Sequence, residues 1–600
     1  MSQYFSRRNL NFLLYEVFNA TELNQLPHFN AHDRETFDMA LDAMTQIADT
    51  YMYPYLREVD RNQPELKNGK VTVHPKVGEY IQAMGEAGLI GPEFSFEDGG
   101  QQMPQTLGAV LGFIAMAANN GMMYTGLSAG AADLIATFGS DELKAKYIEK
   151  MLTGKWQGTM ALTEPQAGSS LSDITTTAYP AENGAYRIKG QKVFISAGDH
   201  DQCENIVHLM LARIEGAPKG TKGVSLFVVP KYRVAEDGTF GDNDVTSTGV
   251  YHKMGQKGVP AMHLTMGDAD NCHGWLVGEP HKGLTYMFRM MNGARIGVGM
   301  TGAAITSAAY GAALQYAKER PQSRRLNEKN HLDSPQTPII NHPDVRRMLL
   351  HQKAIVEGSL SLLIETARFA DLAHASEGED KEKYDLLLDI MTPVAKTFPC
   401  EMGMQAVSNG LQVFGGYGFT EDFPLEQYYR DIRITPIYEG TTGIQAQDLL
   451  GRKMTMKGGK APQLLFAEIA KTIAEAETHD ELKPYAKMLK AELGRVQEVT
   501  MALMPHAMQG NIERFLMDAT LYLEMFGYTI VAWQWLKQGT AAKLAMLTQN
   551  PEGEELAFYE AKVHTMKYFF HYEVPKNLGL AARLKDSEVL TIMTEKELAL

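Results

Sequence analysis

Cysteine is scarce in this chain: 600 residues hold three, Cys203, Cys272 and Cys400, far apart and without a C-x-x-C pair. That leaves no basis for a disulfide scaffold or a thiolate zinc site, and it suits a reducing, cytoplasmic compartment. Positive charge is short as well. Lys and Arg number 57 against 72 Asp and Glu, a formal net charge of −15. This argues against nucleic acid or an anionic membrane surface as the main partner, while leaving room for a local basic site. No G-x-G-x-x-G follows a strand-like run and no P-loop is present, so a Rossmann or nucleotide-hydrolase reading has no support. Long apolar runs are missing too. The best candidate, Met525–Leu536, is too short to span a bilayer and reads as core. The arginine pair in SRRNLNFLL leads into a segment broken by Glu16 and Asn19, so neither a signal peptide nor an integral membrane segment is expected.

What is present has the composition of a globular protein, 44% hydrophobic and 22% charged, with length enough for several domains. Residues 1–34 form a polar-aromatic leader of undetermined structure. From 35 to 157 apolar residues recur at three- and four-residue spacing, as in DRETFDMALDAMTQIADTYMYPYLREVD. GSDELKAKYIEKMLTG carries a helix signature: Ser140 as cap, Glu142 in the first turn and Gly154 past the end. The pattern then switches to short β-rich runs, AYRIKGQKVFISAG, NIVHLMLARI, GVSLFVVP and MHLTMG, punctuated by Gly, Asn, Asp and Pro. They define an antiparallel β domain over 158–282. Helices resume near Gly283 and fill 283–453, beginning with an Ala/Gly-rich stretch suited to close packing. A further α-helical block occupies 454–600.

The stretch IYEGTTGIQAQDLLGRK, Ile437–Lys453, places a carboxylate in an apolar-flanked turn before a helix. By itself Glu439 reads as a helix-entry carboxylate that complements the N-terminal dipole. Three other stretches change that reading: ALTEPQAGSS (Ala161–Ser170), KGQKVFISAG (Lys189–Gly198) and LQVFGGYGFTEDFPLEQYYRD (Leu411–Asp431). Each alone suits an ordinary turn or cap. In series, the four resemble the acyl-CoA dehydrogenase flavoprotein family over roughly residues 80–453. The region around HPDVRRMLL and the extra C-terminal block resemble a large bacterial subgroup of it.

The resemblance implies an α+β fold: an N-terminal α-helical domain, a middle antiparallel β-barrel domain, a C-terminal four-helix-type domain and the additional C-terminal α-helical domain. It implies FAD, an acyl-CoA substrate, electron-transfer flavoprotein as acceptor, a place in fatty-acid β-oxidation or related acyl-CoA degradation, and, with the extra block covering a tetramer surface, a homodimer. The chemistry is removal of an α-proton from a weak carbon acid, which needs a base near the working pH and donors for the enolate oxygen. Glu439 would be that base, its pKa raised by an apolar pocket of Pro436, Ile437 and Tyr438. Gly440 would allow close backbone approach to flavin and substrate. In the family the backbone N–H of the base and a flavin ribityl hydroxyl hold the thioester oxygen, and hydride passes to flavin N5. Some members carry the base one position before a substrate-binding arginine; here that position is Ala294, before Arg295, so Glu439 has no rival.

The remaining roles follow motif by motif. Thr163 would bond the flavin pyrimidine edge, and Ser169 the cofactor phosphates or the CoA. Phe194 stands for the usual tryptophan beside the isoalloxazine, and Ser196 for the usual threonine near N5. Gln412, Gly415 and Gly416 would line the adenine–pyrophosphate path. Arg320 would reach the pyrophosphate of a neighbouring subunit, Thr441 would touch the flavin, and Arg295, Gly440 and Tyr438 would bind substrate. There are departures: PQSRR replaces the family's Phe-Gly after Arg320, Gly443 replaces a Glu or Gln although Gln445 is matched, and Asn292 replaces an Asp. Two rival readings remain: an acyl-CoA oxidase using O2, and a non-catalytic DNA-associated alkylation-response flavoprotein, which the acidic balance disfavours. His252 and His263 read as surface or packing groups, and the 34 methionines as adaptable core.

Overall fold

A computed structural model describes residues 4–235, 237–327, 333–593 and 597. The chain divides into two compact units, one of residues 28–294 and one of residues 1–27 with 295–600. The division cuts across the five segments read from the sequence, because the leader joins the C-terminal helices and the cut falls inside the helix Gly283–Glu319.

In the unit 28–294, the helix Arg34–Ile47 starts where Asp33 accepts the Thr36 backbone N–H at 2.8 Å. It buries Phe37, Ala40, Leu41, Met44 and Ile47, the i, i+3, i+4 stripe of an amphipathic helix. Ser140 caps Asp141–Leu152 by accepting from the Leu143 N–H at 3.3 Å, and Gly154 follows in the left-handed region. The strands then close a ring: Ala185–Ser196 pairs His273–Leu276, which pairs Val224–Pro230, then Asn205–Ile214, then Thr177–Pro180, which returns to Ala185–Ser196. Closure removes the unpaired edges of these strands. Ala178, Ile188, Met210, Phe227 and Leu264 belong to the core of this barrel.

The expectation of a wholly antiparallel domain is corrected at one place. Trp156–Ala161 and Thr177–Pro180 both run parallel to Asn205–Ile214. Asn205–Ile214 is buried over its first eight residues, and its near-continuous apolar run fits a strand flanked in this way.

In the other unit, Pro343–His374 and Gly378–Phe414 pack along each other. The Ala/Gly-rich part of Gly283–Glu319 lies so close to Gly378–Phe414 that a Cβ on Gly299 would come within 2.0 Å of the Ala395 carbonyl oxygen. The leader is not a loose tail. Ser6 caps the helix Arg7–Asn11, and Leu10, Phe12, Leu13, Leu14 and Phe18 are buried. Phe12 packs edge-on against Phe558, and Arg8 binds Glu555 and Tyr559.

Met525–Leu536 lies in a longer helix than the apolar run suggests, Ala519–Gln549. Among the described residues, this helical region is long and apolar enough to cross a membrane by length and composition, which corrects the expectation that it is too short; the bent pair Gln105–Met122 and Tyr124–Phe138 passes only when joined. Its surroundings here are those of a core helix. Gln534 accepts from the Ser361 hydroxyl at 2.8 Å, and Gln538 donates to the Glu357 carbonyl at 3.3 Å.

Candidate active site

Glu439 sits in the turn between Leu425–Ile432 and Thr442–Gly451. Its φ is +54°, a left-handed backbone that L-residues adopt at a cost and that is found disproportionately at functional sites. Among the described residues no hydrogen bond reaches its carboxylate or its backbone N–H. Desolvation pushes the carboxyl above its ordinary range, and the positive charges of Arg295 and Lys396 pull it back in part. The role of helix cap falls to the Thr441 hydroxyl, which accepts the Ile444 N–H at 3.3 Å. Gly440 follows with φ +86°, and a Cβ there would meet Gln445 Nε2 at 2.7 Å. Buried Gln445 donates that same Nε2 to the Glu439 carbonyl at 3.1 Å, so the matched glutamine holds the turn.

The apolar screen differs from expectation. Pro436 is buried and Tyr438 half-buried, but Ile437 is 46% exposed and does not keep water from the carboxylate. The Ile437 N–H donates to the Ile434 carbonyl at 2.8 Å; an apolar letter beside the glutamate does not say which way the turn faces.

Arg295 is 5% exposed, on the Gly283–Glu319 helix. Its Nη1 donates to Asp448 Oδ2 at 3.3 Å, while Nε has no partner among the described residues. Asp448 also accepts from Arg452 at 2.7 Å. The arginine is therefore an enclosed group with a spare donor. Arg320 is exposed, with its guanidinium 5.7 Å from the Tyr417 ring centroid, in the same turn as Gly415 and Gly416. Both glycines and Gln412 are exposed, and nothing lies within 4 Å of a Cβ placed on either glycine.

In the unit 28–294, Phe194 is 61% exposed with φ +58° and stacks on Tyr251 at 4.4 Å. Ser196 lies two residues on, at the strand's end, half-buried. Thr163 is half-buried and Ser169 exposed; the Thr163 carbonyl accepts the Val193 N–H at 2.9 Å, placing the TEP turn beside the Phe194 strand. A fully buried pair reinforces that placement. Lys192 Nζ donates to Glu164 Oε1 at 2.8 Å and to the Leu162 carbonyl at 3.1 Å. Glu164 Oε2 accepts from Thr175 N at 2.6 Å and from Gln166 Nε2 at 2.9 Å.

Comparison with known proteins places this architecture. Family models match in series: "Acyl-CoA dehydrogenase, N-terminal domain" at 34–155, "middle domain" at 159–269, "C-terminal domain" at 281–454, and "Acetyl-CoA dehydrogenase C-terminal like" at 465–593. The chain is 36% identical over 570 residues to the 3-methylmercaptopropionyl-CoA dehydrogenase of Ruegeria pomeroyi, covering 94% of each. It is 34% identical over 611 residues to a butyryl-CoA dehydrogenase of Syntrophomonas wolfei, covering 99% of this chain and 98% of that one. This chain belongs to the acyl-CoA dehydrogenase family. Its fold matches a Bacillus anthracis acyl-CoA dehydrogenase complexed with FAD at a TM-score of 0.74 and 21% identity, over 95% of this chain and 91% of that one.

Within the acyl-CoA dehydrogenase frame, four residues escaped the sequence reading. Glu164 and Lys192 stand inside the quoted motifs, where a carboxylate and an amine in otherwise apolar or turn-like stretches were the available signal. Tyr251, the support for Phe194, and Lys396, fully buried in the Gly378–Phe414 helix, carry no local signal. Among the described residues no group of His, Cys, Asp and Glu could hold a metal ion.

Proposed function

We propose that the chain oxidises an acyl-CoA thioester to the trans-2-enoyl-CoA, with FAD as hydride acceptor and Glu439 as the base that removes the α-proton. The observation that carries this reading is the half-buried Glu439 carboxylate, without a hydrogen bond among the described residues, on a left-handed turn held from behind by Gln445. Burial raises the carboxyl above its ordinary range, which makes its carboxylate a stronger base for the α-proton. Its free backbone N–H can donate to the thioester oxygen. Arg295, fixed by Asp448, keeps a spare donor beside the base, and Gly440 and Tyr438 complete the substrate side.

The residues present suit FAD. Phe194 offers an exposed flat ring, and the hydroxyls of Thr163, Ser196 and Ser169 are uncommitted among the described residues. The open backbone at Gly415 and Gly416, with Gln412 and the Arg320 guanidinium, suits a pyrophosphate. Thr441 is committed as a cap, so its part is to fix the turn, with any flavin contact secondary. FAD, when bound, supplies a two-electron acceptor for the β-hydride. Electron-transfer flavoprotein as acceptor, a homodimer, a cytoplasmic setting and a role in fatty-acid or related acyl-CoA degradation complete the proposal; three free cysteines support the reducing setting. Anaerobic titration of the FAD-loaded protein with short, medium, long, branched and methylthio-substituted acyl-CoAs tests the reading: one class bleaches the flavin band, and no bleaching by any class refutes it.

A further inference from the structure

A cavity of about 600 Å³ opens among the helices of the C-terminal unit, and none of the residues assigned above to flavin or substrate lines it. Its walls come from Pro343–His374, Gly378–Phe414, Leu425–Ile432 and the chain from Tyr568 to Lys576. The volume is in the range of small-molecule sites.

An unsatisfied donor lies at the enclosed end. His351 is 5% exposed. The Asn409 amide Nδ2 donates to His351 Nδ1 at 3.0 Å, which puts the ring proton on Nε2. Burial holds the ring below the ordinary histidine range despite the pull of Glu573, so it is neutral near pH 7. Glu573 Oε2 is 3.9 Å from Nε2, too far for a hydrogen bond. Glu573 is itself enclosed and is held by Lys576 at 2.6 Å. A ligand hydroxyl between the two can accept from His351 and donate to Glu573.

The open end combines a flat ring with a cationic fork. Tyr568 and Tyr572 stack with centroids 4.4 Å apart and planes 13° from parallel. Tyr568 is buried and donates to the Arg347 carbonyl at 3.4 Å, whereas Tyr572 is 56% exposed. The stack fixes the Tyr572 ring from one side and leaves its other face open. Tyr572 and Glu573 belong to the π-helical turn Phe569–Glu573, a geometry that recurs at functional sites. Arg347 Nε donates to Asp344 at 2.8 Å, and its two Nη groups have no partner among the described residues, which leaves a planar donor pair suited to phosphate.

We propose that this cavity is a second ligand site, built for a nucleoside phosphate: the base on the Tyr572 ring, a sugar hydroxyl between His351 and Glu573, and the phosphate on Arg347. A contact that served only to join these helices would satisfy the His351 Nε2–H and cover Tyr572. The inference is independent of the role of Glu439.

The test is calorimetric titration of the FAD-loaded full chain with ADP, the bound FAD keeping ADP out of the flavin's own nucleotide path. One equivalent is expected to bind. Arg347→Gln and Tyr572→Ala should each weaken binding about tenfold or more, and Tyr572→Phe should retain it. Arg347→Lys, which keeps the charge and loses the fork, serves if Arg347→Gln does not fold. A parallel titration with CoA names the source of the nucleotide: weakening by the same variants means that the adenosine phosphate of CoA seats here, and an unchanged CoA affinity beside a weakened ADP affinity means a free nucleotide. A wild type that binds no ADP, or an ADP affinity that neither variant changes, overturns the proposal.

Discussion

Lys192 Nζ donates to Glu164 Oε1 at 2.8 Å, and neither side chain reaches solvent. One residue belongs to the strand that presents Phe194 and Ser196, the other to the turn that presents Thr163. The pair therefore acts as an internal brace between two candidate flavin contacts. Removing the ammonium by Lys192→Met leaves a buried carboxylate short of a partner. The expected cost is about 3–5 kcal/mol, read as a lower denaturant midpoint, with weaker FAD retention in the folded fraction.

The same brace sets an acid limit. Burial would raise the Glu164 carboxyl, but the Lys192 ammonium and the donors of Thr175 and Thr176 outweigh it and hold it at about 2. Because the folded value is depressed, the contribution is complete above the unfolded value near 4.5 and is lost as pH falls toward 2. Thermal unfolding of wild type should show a decline through this window. In Glu164→Gln that part of the decline should be missing.

Gly440→Ala places a Cβ 2.7 Å from Gln445 Nε2 at φ +86°. The left-handed backbone costs an L-residue about 1–2 kcal/mol, and displacement of Gln445 releases the Glu439 carbonyl. Slower flavin reduction with near-normal FAD content is the expected result, checked by stopped-flow absorbance.

The leader also makes a measurable claim. Buried Lys562 donates to Asn9 Oδ1, to Glu357 Oε2 at 2.9 Å and to Gln538 Oε1 at 3.0 Å. Asn9→Ala removes one of three acceptors and is expected to cost about 1–3 kcal/mol, measured by chemical denaturation. Loss of residues 4–18 should be far more damaging, because Phe12, Leu13 and Leu14 are fully buried.

How much of this was legible in the sequence depends on how local the cause is. NIVHLMLARI names its strand to the residue, Asn205–Ile214, because a near-continuous apolar run is a local signal. Ser140 and Gly154 mark their helix ends for the same reason. Glu439 was singled out through its motif and its neighbours. Strand direction was not legible: nothing inside WQGTMA states that it runs parallel to a strand more than forty residues on. The leader's burial was hidden because Phe12 packs on Phe558, far along the chain. Lys396 reads as any helical lysine; its burial comes from packing that the local sequence does not state. Ile437 misled because an apolar residue in a turn has no periodicity to say which side it faces.

The most direct test of the central claim is single-turnover flavin reduction, without oxygen, in wild type and Glu439→Gln with FAD content matched. A positioned general base contributes roughly 10²–10⁴-fold, so Glu439→Gln should keep its FAD, fold normally and bleach slower by at least that margin. Bleaching at the wild-type rate in Glu439→Gln would contradict the assignment of Glu439 as the base.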